Sequence, residues 1–180
     1  MPLEPNSLYI CTLPIPTNLG SAGAPARAFH WGLIHVDSAS HCSLHEWAED
    51  PVDGTECYQS HNLPDGAMPI ISSSFVVGYF KVPGYTDSPQ VVDRSHFQAV
   101  CDVCEEGPRR LPAVNRAHGI SCRTFVRQVI AFFTNQDRAV AIENRVHNVS
   151  YAEADILHEC NGNLDQRRFN CRVHSLDDVQ

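Results

Sequence analysis

Patterns typical of β-strands fill the first half of this chain, and patterns typical of α-helices fill the second half. The segments with alternating or β-branched residues are 7–16, 29–36, 41–49 and 67–83. Apolar residues recur at helical spacing in residues 91–106 and 122–136. Strands that are grouped ahead of helices are typical of α+β folds. We therefore predict an α+β fold in which two or three helices pack on an antiparallel sheet.

The best-defined pair of strands is a hairpin. "FHWGLIHV" at residues 29–36 and "HCSLHEWAE" at residues 41–49 flank the short polar segment "DSAS". A turn centred between Ser38 and Ala39 would pair these two strands. The residues that follow, 50–66, contain proline and glycine and are predicted to form a long polar loop.

The register of this hairpin decides which polar side chains share a face. The centred turn places Trp47 opposite His30 and His45 opposite Gly32, so that His30 and His45 lie on one face. A shift of one residue would place Glu46 there instead of His45, because successive side chains on a strand point to opposite faces. Both registers supply a polar partner for His30.

The rest of the chain is predicted to belong to the same single domain, residues 1–180. The sequence "SYAE" fits a capping box and predicts that a last helix begins at Ser150. The polar tail from about residue 162 receives no structural prediction.

Composition excludes several classes of partner. Of the 180 residues, 43% are hydrophobic and 19% are charged, which is typical of a globular protein. The net charge is −8, and Lys81 is the single lysine among 13 basic residues. An acidic chain without a basic stripe argues against nucleic acid or an anionic membrane as the main partner. We expect a small-molecule or peptide substrate, and the oligomeric state is not predicted.

The sequence also bears on the cellular location. The first residues, "MPLEPN", lack the charged and apolar segments of a signal peptide. No apolar stretch is long enough to span a bilayer. We therefore expect a cytoplasmic protein with reduced thiols. The eight cysteines could instead form four disulfides, but their irregular spacing does not resemble a small disulfide scaffold.

One cysteine has a distinctive position. In "HGISCRTFVRQVIAFF", residues 118–133, Cys122 stands where the amphipathic pattern begins. If Ser121 caps this helix, the free amides of the first turn and the helix dipole would stabilise a thiolate and could bind an oxyanion. The alternative is a buried cysteine that packs as a small hydrophobic residue.

A nucleophilic thiolate requires a base, and the hairpin offers His30. Strand alternation makes His30 the ionisable residue on a face of its strand that is otherwise small or aliphatic. His45, or Glu46 after a register shift, could orient the imidazole through its second ring nitrogen. The alternative is a strand histidine whose ring is satisfied by a backbone group.

The two motifs together resemble the circularly permuted papain-like (NlpC-like) superfamily. "HWGLIHV" is similar to the HW-type strand of the lecithin–retinol acyltransferase-like group, and "SCRTFV" is similar to its Asn-Cys-x-x-Phe-Val helix start. PPPDE-type isopeptidases share this chain order, and small fungal proteins with an HW strand and a GCR-x-W helix start look alike too. The resemblance covers residues 28–48 and 118–133. Ser121 departs from it, since asparagine is common at that position.

The resemblance implies a site and an activity. Cys122 would be the nucleophile, His30 the base and His45 the polar third member. The implied activity is cysteine-dependent transfer or hydrolysis of an amide, ester or thioester. The candidate substrate-pocket residues are Trp31, Trp47, Arg116 and Ser121. No cofactor is predicted, because the chain contains no Walker loop, dinucleotide fingerprint or HExxH motif.

Two other functions stay open at this point. A biosynthetic cyclase or isomerase would use His30 and His45 as acid–base groups without a covalent intermediate. A zinc-stabilised, non-enzymatic interaction module would use a C-x2-C…H-x3-C set formed by Cys101, Cys104, His118 and Cys122. The helical pattern of "FQAVCDVCEE" argues against zinc, because it directs the first two of these cysteines to the core.

Overall fold

The computed structural model describes residues 3–14, 29–63, 78–85, 93–104, 107–159 and 172–176. Within these residues the fold is α+β, which confirms the predicted class. The strands are β1 (Ser7–Pro14), β2 (Phe29–Val36), β3 (Cys42–Glu49), β4 (Glu56–Asn62), β5 (Gly78–Lys81) and β6 (Arg172–Ser175). The helices are α1 (Arg94–Val103), α2 (Pro112–Ala117), α3 (Cys122–Phe133) and α4 (Gln136–Glu159).

The described strands form one sheet in the order β4-β3-β2-β1-β5-β6. Neighbouring strands are antiparallel, except that β5 and β6 are parallel. This order places β2, the strand that carries His30, in the interior of the sheet between β1 and β3.

Both faces of the central strands are buried. On β1, Leu8 and Ile10 belong to the larger core, which also contains the buried residues of the helices. Tyr9 and Cys11 belong to a smaller core on the opposite face. The alternation follows from the pleat of the strand, which directs successive side chains to opposite faces.

Helix α3 joins the helical layer to the sheet. The core residues at helical spacing on its buried face are Phe125, Val126, Val129 and Ile130. The ring of Phe125 lies 6.5 Å from the ring of Trp47 on β3 and 5.4 Å from the ring of Tyr58 on β4, measured between centroids. This packing holds the beginning of α3 against β2 and β3.

The predicted hairpin of β2 and β3 is confirmed, and of the two registers left open by the sequence it has the one shifted by one residue. Gly32 pairs with Glu46, and Leu33 pairs with His45. Because the side-chain period of a strand is two, this register places Glu46, rather than His45, on the face of His30.

The turn between these strands explains the shift. Asp37 Oδ1 accepts hydrogen bonds from the N–H groups of Ala39 and His41, each 2.9 Å long. Ser40 adopts a φ of 66°, in the left-handed region. A left-handed residue at this place is typical of hairpin loops with one residue more than the two-residue turn. The centre of the turn therefore lies on Ala39 rather than between Ser38 and Ala39.

The segment predicted as a long polar loop, residues 50–66, contains β4. Glu49 at the end of β3 pairs with Glu56 at the start of β4. Gly54 turns the chain with a φ of 71°, and its N–H donates a hydrogen bond of 2.9 Å to the carbonyl of Asp50. The loop prediction is thus wrong for residues 56–62, and its last residues, 64–66, lie outside the described part of the chain.

The predicted start of the last helix at Ser150 is also wrong. Helix α4 begins at Gln136, where Asn135 Oδ1 accepts a hydrogen bond of 2.8 Å from the N–H of Arg138 and caps the helix. Ser150 lies within α4 and is buried, with its Oγ 2.9 Å from Oγ1 of Thr12 on β1. The serine therefore contributes to packing between the helix and the sheet.

Some predictions fall on residues that are described only in part. Of the strand predicted over residues 67–83, residues 78–83 are described and contain β5. The polar tail lies outside the described residues except for 172–176, where β6 pairs with β5. Among the described helices, none has both the length and the apolar character required to cross a membrane.

Candidate active site

Cys122 is the first residue of α3, as the sequence predicts. Ser121 is the N-cap: its Oγ accepts a 3.1 Å hydrogen bond from the N–H of Thr124, and its own N–H donates a 2.8 Å bond to Thr124 Oγ1. The N–H of Phe125 bonds to the Ser121 carbonyl at 3.0 Å. Helix geometry therefore leaves the N–H groups of Cys122 and Arg123 as the first-turn donors that neither the cap nor the helix pairs.

His30, the second residue of β2, lies beside the Cys122 thiol. The imidazole and the thiol are hydrogen-bonded to each other. The backbone N–H of Trp31 donates a second hydrogen bond to the Cys122 sulfur. Two consecutive residues of the HW strand therefore hold the sulfur, one through its side chain and one through its backbone.

Glu46 on β3 completes a relay of three side chains. Its Oε2 accepts a 2.7 Å hydrogen bond from Nε2 of His30. His30 lies two residues before Gly32, the partner of Glu46, so the two side chains are diagonal neighbours on one face. Since Nε2 is bonded to Glu46, Nδ1 is the ring nitrogen left for the sulfur. We name this arrangement the Cys122–His30–Glu46 triad.

The electrostatics of the triad favour an ion pair. Burial lowers the pKa of His30, but hydrogen bonds to Cys122 and Glu46 and the charges of both outweigh burial and raise that pKa to about 10. Burial raises the pKa of Cys122, whereas the His30 hydrogen bond and charge, the Trp31 N–H and the charge of Arg116 lower it overall. Both shifts favour a thiolate beside an imidazolium.

His45 does not occupy its predicted position. Its Nδ1 lies 2.6 Å from the hydroxyl of Tyr58, and its Nε2 lies 2.8 Å from Oγ of Ser43. Burial and the charges of nearby basic side chains lower the pKa of His45 to about 3, so the ring is neutral near pH 7. The predicted contact between His45 and His30 is therefore wrong, and Glu46 makes that contact instead.

Trp31 and Trp47 were predicted to line a substrate pocket, but both rings lie in the core. Their exposed fractions are 2% and 1%. The guanidinium of Arg123 lies 5.5 Å from the centre of the Trp31 ring and is anchored by Glu143 of α4. The pocket prediction is corrected for these two rings. Trp31 contributes to the site through its backbone N–H.

Arg116, another predicted pocket residue, links the sheet to the segment before Cys122. Its guanidinium donates to Oε2 and Oε1 of Glu56 at 3.1 and 2.5 Å, and to the carbonyl of Ile120 at 2.6 Å. The Nδ2 of Asn115 donates to the same carboxylate at 2.9 Å. Glu56 is 6% exposed and Arg116 is 47% exposed. A place for Arg116 in a substrate pocket stays a prediction.

The residues of the alternative zinc site do not come together. Cys101 lies on the buried face of α1, and Cys104 caps the end of that helix. His118 caps the end of α2 and is exposed. The thiol of Cys122 is hydrogen-bonded to His30. All four residues are described, and in the described part of the chain no group of three or more His, Cys, Asp or Glu could hold a metal ion. The continuous helix over the Cys-x-x-Cys pair accounts for this.

Two residues that shape the site have no counterpart among the predicted site residues. Glu56 falls in the segment predicted as a loop, and Asn115 lies in α2, within a connection marked by prolines. Glu56 itself carries no strand signal, because glutamate is depleted in strands. Its pairing with Arg116 spans 60 residues, so no local pattern could indicate it.

The geometry of the triad suits nucleophilic acyl transfer, because it combines an activated thiol, a base and a group that orients the base. No protein-family model matches this chain, and neither a curated protein nor a solved structure matches it.

Proposed function

We propose that this protein catalyses cysteine-dependent transfer or hydrolysis of an acyl group held as an amide, ester or thioester. The observation that carries the proposal is the hydrogen-bonded Cys122–His30–Glu46 triad at the beginning of a helix. A buried structural cysteine requires neither an imidazole partner nor a carboxylate behind that imidazole. The resting ion pair supplies the nucleophile and the acid for the first step.

The first step forms an acyl-enzyme. The Cys122 thiolate attacks the substrate carbonyl carbon, and the carbonyl electron pair moves to the oxygen to give a tetrahedral oxyanion. The oxyanion collapses, the bond to the leaving group breaks, and the imidazolium of His30 gives its proton to the departing amine, alcohol or thiol. Cys122 then holds the acyl group as a thioester, and His30 is neutral.

The second step releases the acyl group. Neutral His30 takes a proton from water, or from an amine acceptor, as that nucleophile attacks the thioester carbonyl. The carbon–sulfur bond breaks, and Cys122 leaves as a thiolate beside the newly protonated His30. Glu46 stabilises the imidazolium in both steps and holds the ring in one orientation.

The beginning of α3 offers donors for the oxyanion. The N–H groups of Cys122 and Arg123 are first-turn amides, and the helix dipole adds positive potential at the same place. Donors aimed at the developing negative charge lower the barrier to attack.

The family assignment is part of this proposal. An HW strand that bears the base, followed later in the chain by a cysteine at a helix start, supports a permuted papain-like enzyme acting on a small-molecule or peptide substrate. The chemistry also needs a reduced thiol, and Cys122 is not part of a disulfide. The need for a reduced thiol supports a cytoplasmic location, where thiols stay reduced.

Selective labelling of the thiol tests the proposal. Iodoacetamide is applied to the full chain at mildly acidic pH, and the product is analysed by intact mass and peptide mapping. We expect one cysteine of the eight, Cys122, to react, because ordinary thiols are protonated at that pH. Cys122→Ala and His30→Gln should both abolish this labelling. Cys42→Ala is the matched control, since it removes a thiol that is more exposed than that of Cys122 and should leave the labelling intact.

The acyl-enzyme can be sought with p-nitrophenyl acetate. Intact mass should show one acetyl group on Cys122, together with a burst of nitrophenolate. Cys122→Ser separates this mechanism from a cyclase or isomerase that works by acid–base chemistry alone, because covalent catalysis should collapse in that variant. Labelling spread over several cysteines, with no acetylated intermediate, would contradict the proposal. Stoichiometric zinc in the purified protein would favour the interaction module.

A further inference from the structure

Glu56 on β4 forms hydrogen bonds at several places along the segment that leads to the nucleophile. We name residues 110–122 the nucleophile segment. The backbone N–H of Glu56 donates a 2.8 Å hydrogen bond to the carbonyl of Arg110, at the start of this segment. The Glu56 carboxylate accepts from Asn115 and Arg116, in the middle of the segment. Arg116 in turn donates to the carbonyl of Ile120, two residues before Cys122.

Glu56 lies on β4, and the neighbouring strand β3 carries the third member of the triad. Glu46 lies on β3, and Glu49 at the end of β3 pairs with Glu56 on β4. The base is therefore oriented by β3, while the nucleophile segment is held by the neighbouring strand. The relative position of the sulfur and the imidazole thus depends on contacts with one pair of adjacent strands.

The ion pair between Glu56 and Arg116 is suited to holding the two side chains in a fixed geometry. A planar guanidinium that meets both oxygens of a carboxylate has a defined distance and a defined orientation. The Glu56 side chain is 6% exposed, so an unpaired charge there would be costly and the pairing is retained. Nη1 of Arg116, which carries two hydrogens, bonds both to Oε2 of Glu56 and to the Ile120 carbonyl.

We propose that Glu56 and Arg116 form a clamp that positions Cys122 for attack, with Arg116 as a positioning residue of the acyl-transfer reaction. The inference rests on the proposed function, because it assigns a role relative to the nucleophilic thiol. The clamp has two separable effects. Its forked geometry places the sulfur, and the positive charge of Arg116 favours the thiolate.

Two substitutions separate these effects. Arg116→Lys keeps the positive charge but cannot form the two-oxygen fork and the bond to Ile120 together. Arg116→Gln removes the charge as well. The matched control is Arg109→Gln, which removes an arginine of the same connection that pairs with Asp50 at 3.0 Å but is 57% exposed. Such an exposed pair contributes little to structure.

Each variant is measured in two ways. The pH dependence of iodoacetamide alkylation of Cys122 reports the thiolate, and kcat and KM for p-nitrophenyl acetate report acyl transfer. Arg116→Lys should keep the midpoint of the alkylation profile and lower kcat by roughly 10-fold or more, since small misplacements of reacting groups have large effects on rate. Arg116→Gln should lower kcat similarly and raise the midpoint above that of Arg116→Lys. Arg109→Gln should change neither.

The outcomes distinguish this inference from the proposed function. If the wild-type protein shows no selective reactivity of Cys122 at acidic pH, the proposed function fails. If the wild type reacts as proposed but both Arg116 variants match Arg109→Gln in kcat and in midpoint, the clamp is excluded and the proposed function survives. Thermal unfolding monitors folding, and the milder Arg116→Lys decides the outcome if Arg116→Gln does not fold. A fall in kcat in Arg116→Lys with an unchanged unfolding temperature supports positioning.

Discussion

Glu46 Oε2 on β3 accepts a 2.7 Å hydrogen bond from His30 Nε2 on β2. The two side chains can meet because Glu46 pairs with Gly32, two residues after His30. The carboxylate lies behind the imidazole, on the side away from the sulfur. Its charge and its hydrogen bond both contribute to the raised pKa of His30.

Glu46→Gln tests this relationship. Glutamine keeps the size of the side chain but loses the charge, so the pKa of His30 should fall from its value of about 10. The imidazolium–thiolate state then loses stability, and acyl transfer should slow by about 10- to 100-fold. An NMR titration of the His30 ring and kcat for p-nitrophenyl acetate measure the two effects. Glu49→Gln, at the end of the same strand, is the control. An unchanged His30 titration in Glu46→Gln would refute the role of the carboxylate.

His45→Leu should affect stability but not chemistry. The substitution removes the hydrogen bonds of a buried ring to Ser43 and Tyr58, and should lower the free energy of unfolding by about 2 kcal/mol. Urea unfolding measures this cost. The rate of Cys122 alkylation at acidic pH should stay at the wild-type value, and a clear loss of that rate would mean that His45 does act on the triad. His41→Leu, in the exposed turn of the same hairpin, should change stability little.

The lowered pKa of His45 also predicts how the free energy of unfolding depends on pH. Its folded pKa of about 3 lies below the ordinary histidine pKa of 6.5, so between these values the unfolded chain binds a proton that the folded chain does not. The contribution is therefore fully present above pH 6.5 and is lost as the pH falls toward 3, by up to about 1.4 kcal/mol per pH unit. His45→Gln should flatten this part of the curve of unfolding free energy against pH. Parallel curves for the wild type and the variant would count against a neutral, buried ring.

The helix cap beside the nucleophile gives another prediction. Ser121→Ala removes the side-chain acceptor for the Thr124 N–H and should cost about 1 kcal/mol of stability. It should also slow alkylation of Cys122, because the first turn of α3 is less well fixed. Ser121→Asn keeps a capping acceptor and should restore both. Thermal unfolding and the alkylation rate are the measurements, and equal behaviour of the two variants would contradict the cap.

Packing of α3 on the sheet can be tested within one helix. Phe125→Ala removes a fully buried ring from the core beneath the site and should destabilise the protein by about 3–5 kcal/mol. Phe132→Ala removes the same type of side chain from a position that is 46% exposed, and should cost far less. Urea unfolding compares the two. Similar costs would mean that the buried face of α3 is assigned incorrectly.

The sequence was informative wherever a local pattern decides the structure. The apolar spacing after Cys122 predicts α3, and Ser121 before it predicts the cap, because both signals lie within one or two helical turns. The alternation in "FHWGLIHV" predicts β2 and identifies His30 for the same reason. Local patterns also misled: "SYAE" resembles a helix start, yet Ser150 lies inside α4 because Asn135 provides an earlier cap.

The sequence by itself determined the α+β class, the position of Cys122 at a helix start and the choice of His30 as its partner. Only the tertiary structure decided that Glu46, and not His45, supports the imidazole. The reason is that a left-handed Ser40 adds one residue to the turn, and a shift of one residue exchanges the two faces of a strand. The pairing of Glu56 with Arg116 was likewise a matter of tertiary structure, since it joins residues that no local pattern connects and depends on β4 lying beside the nucleophile segment.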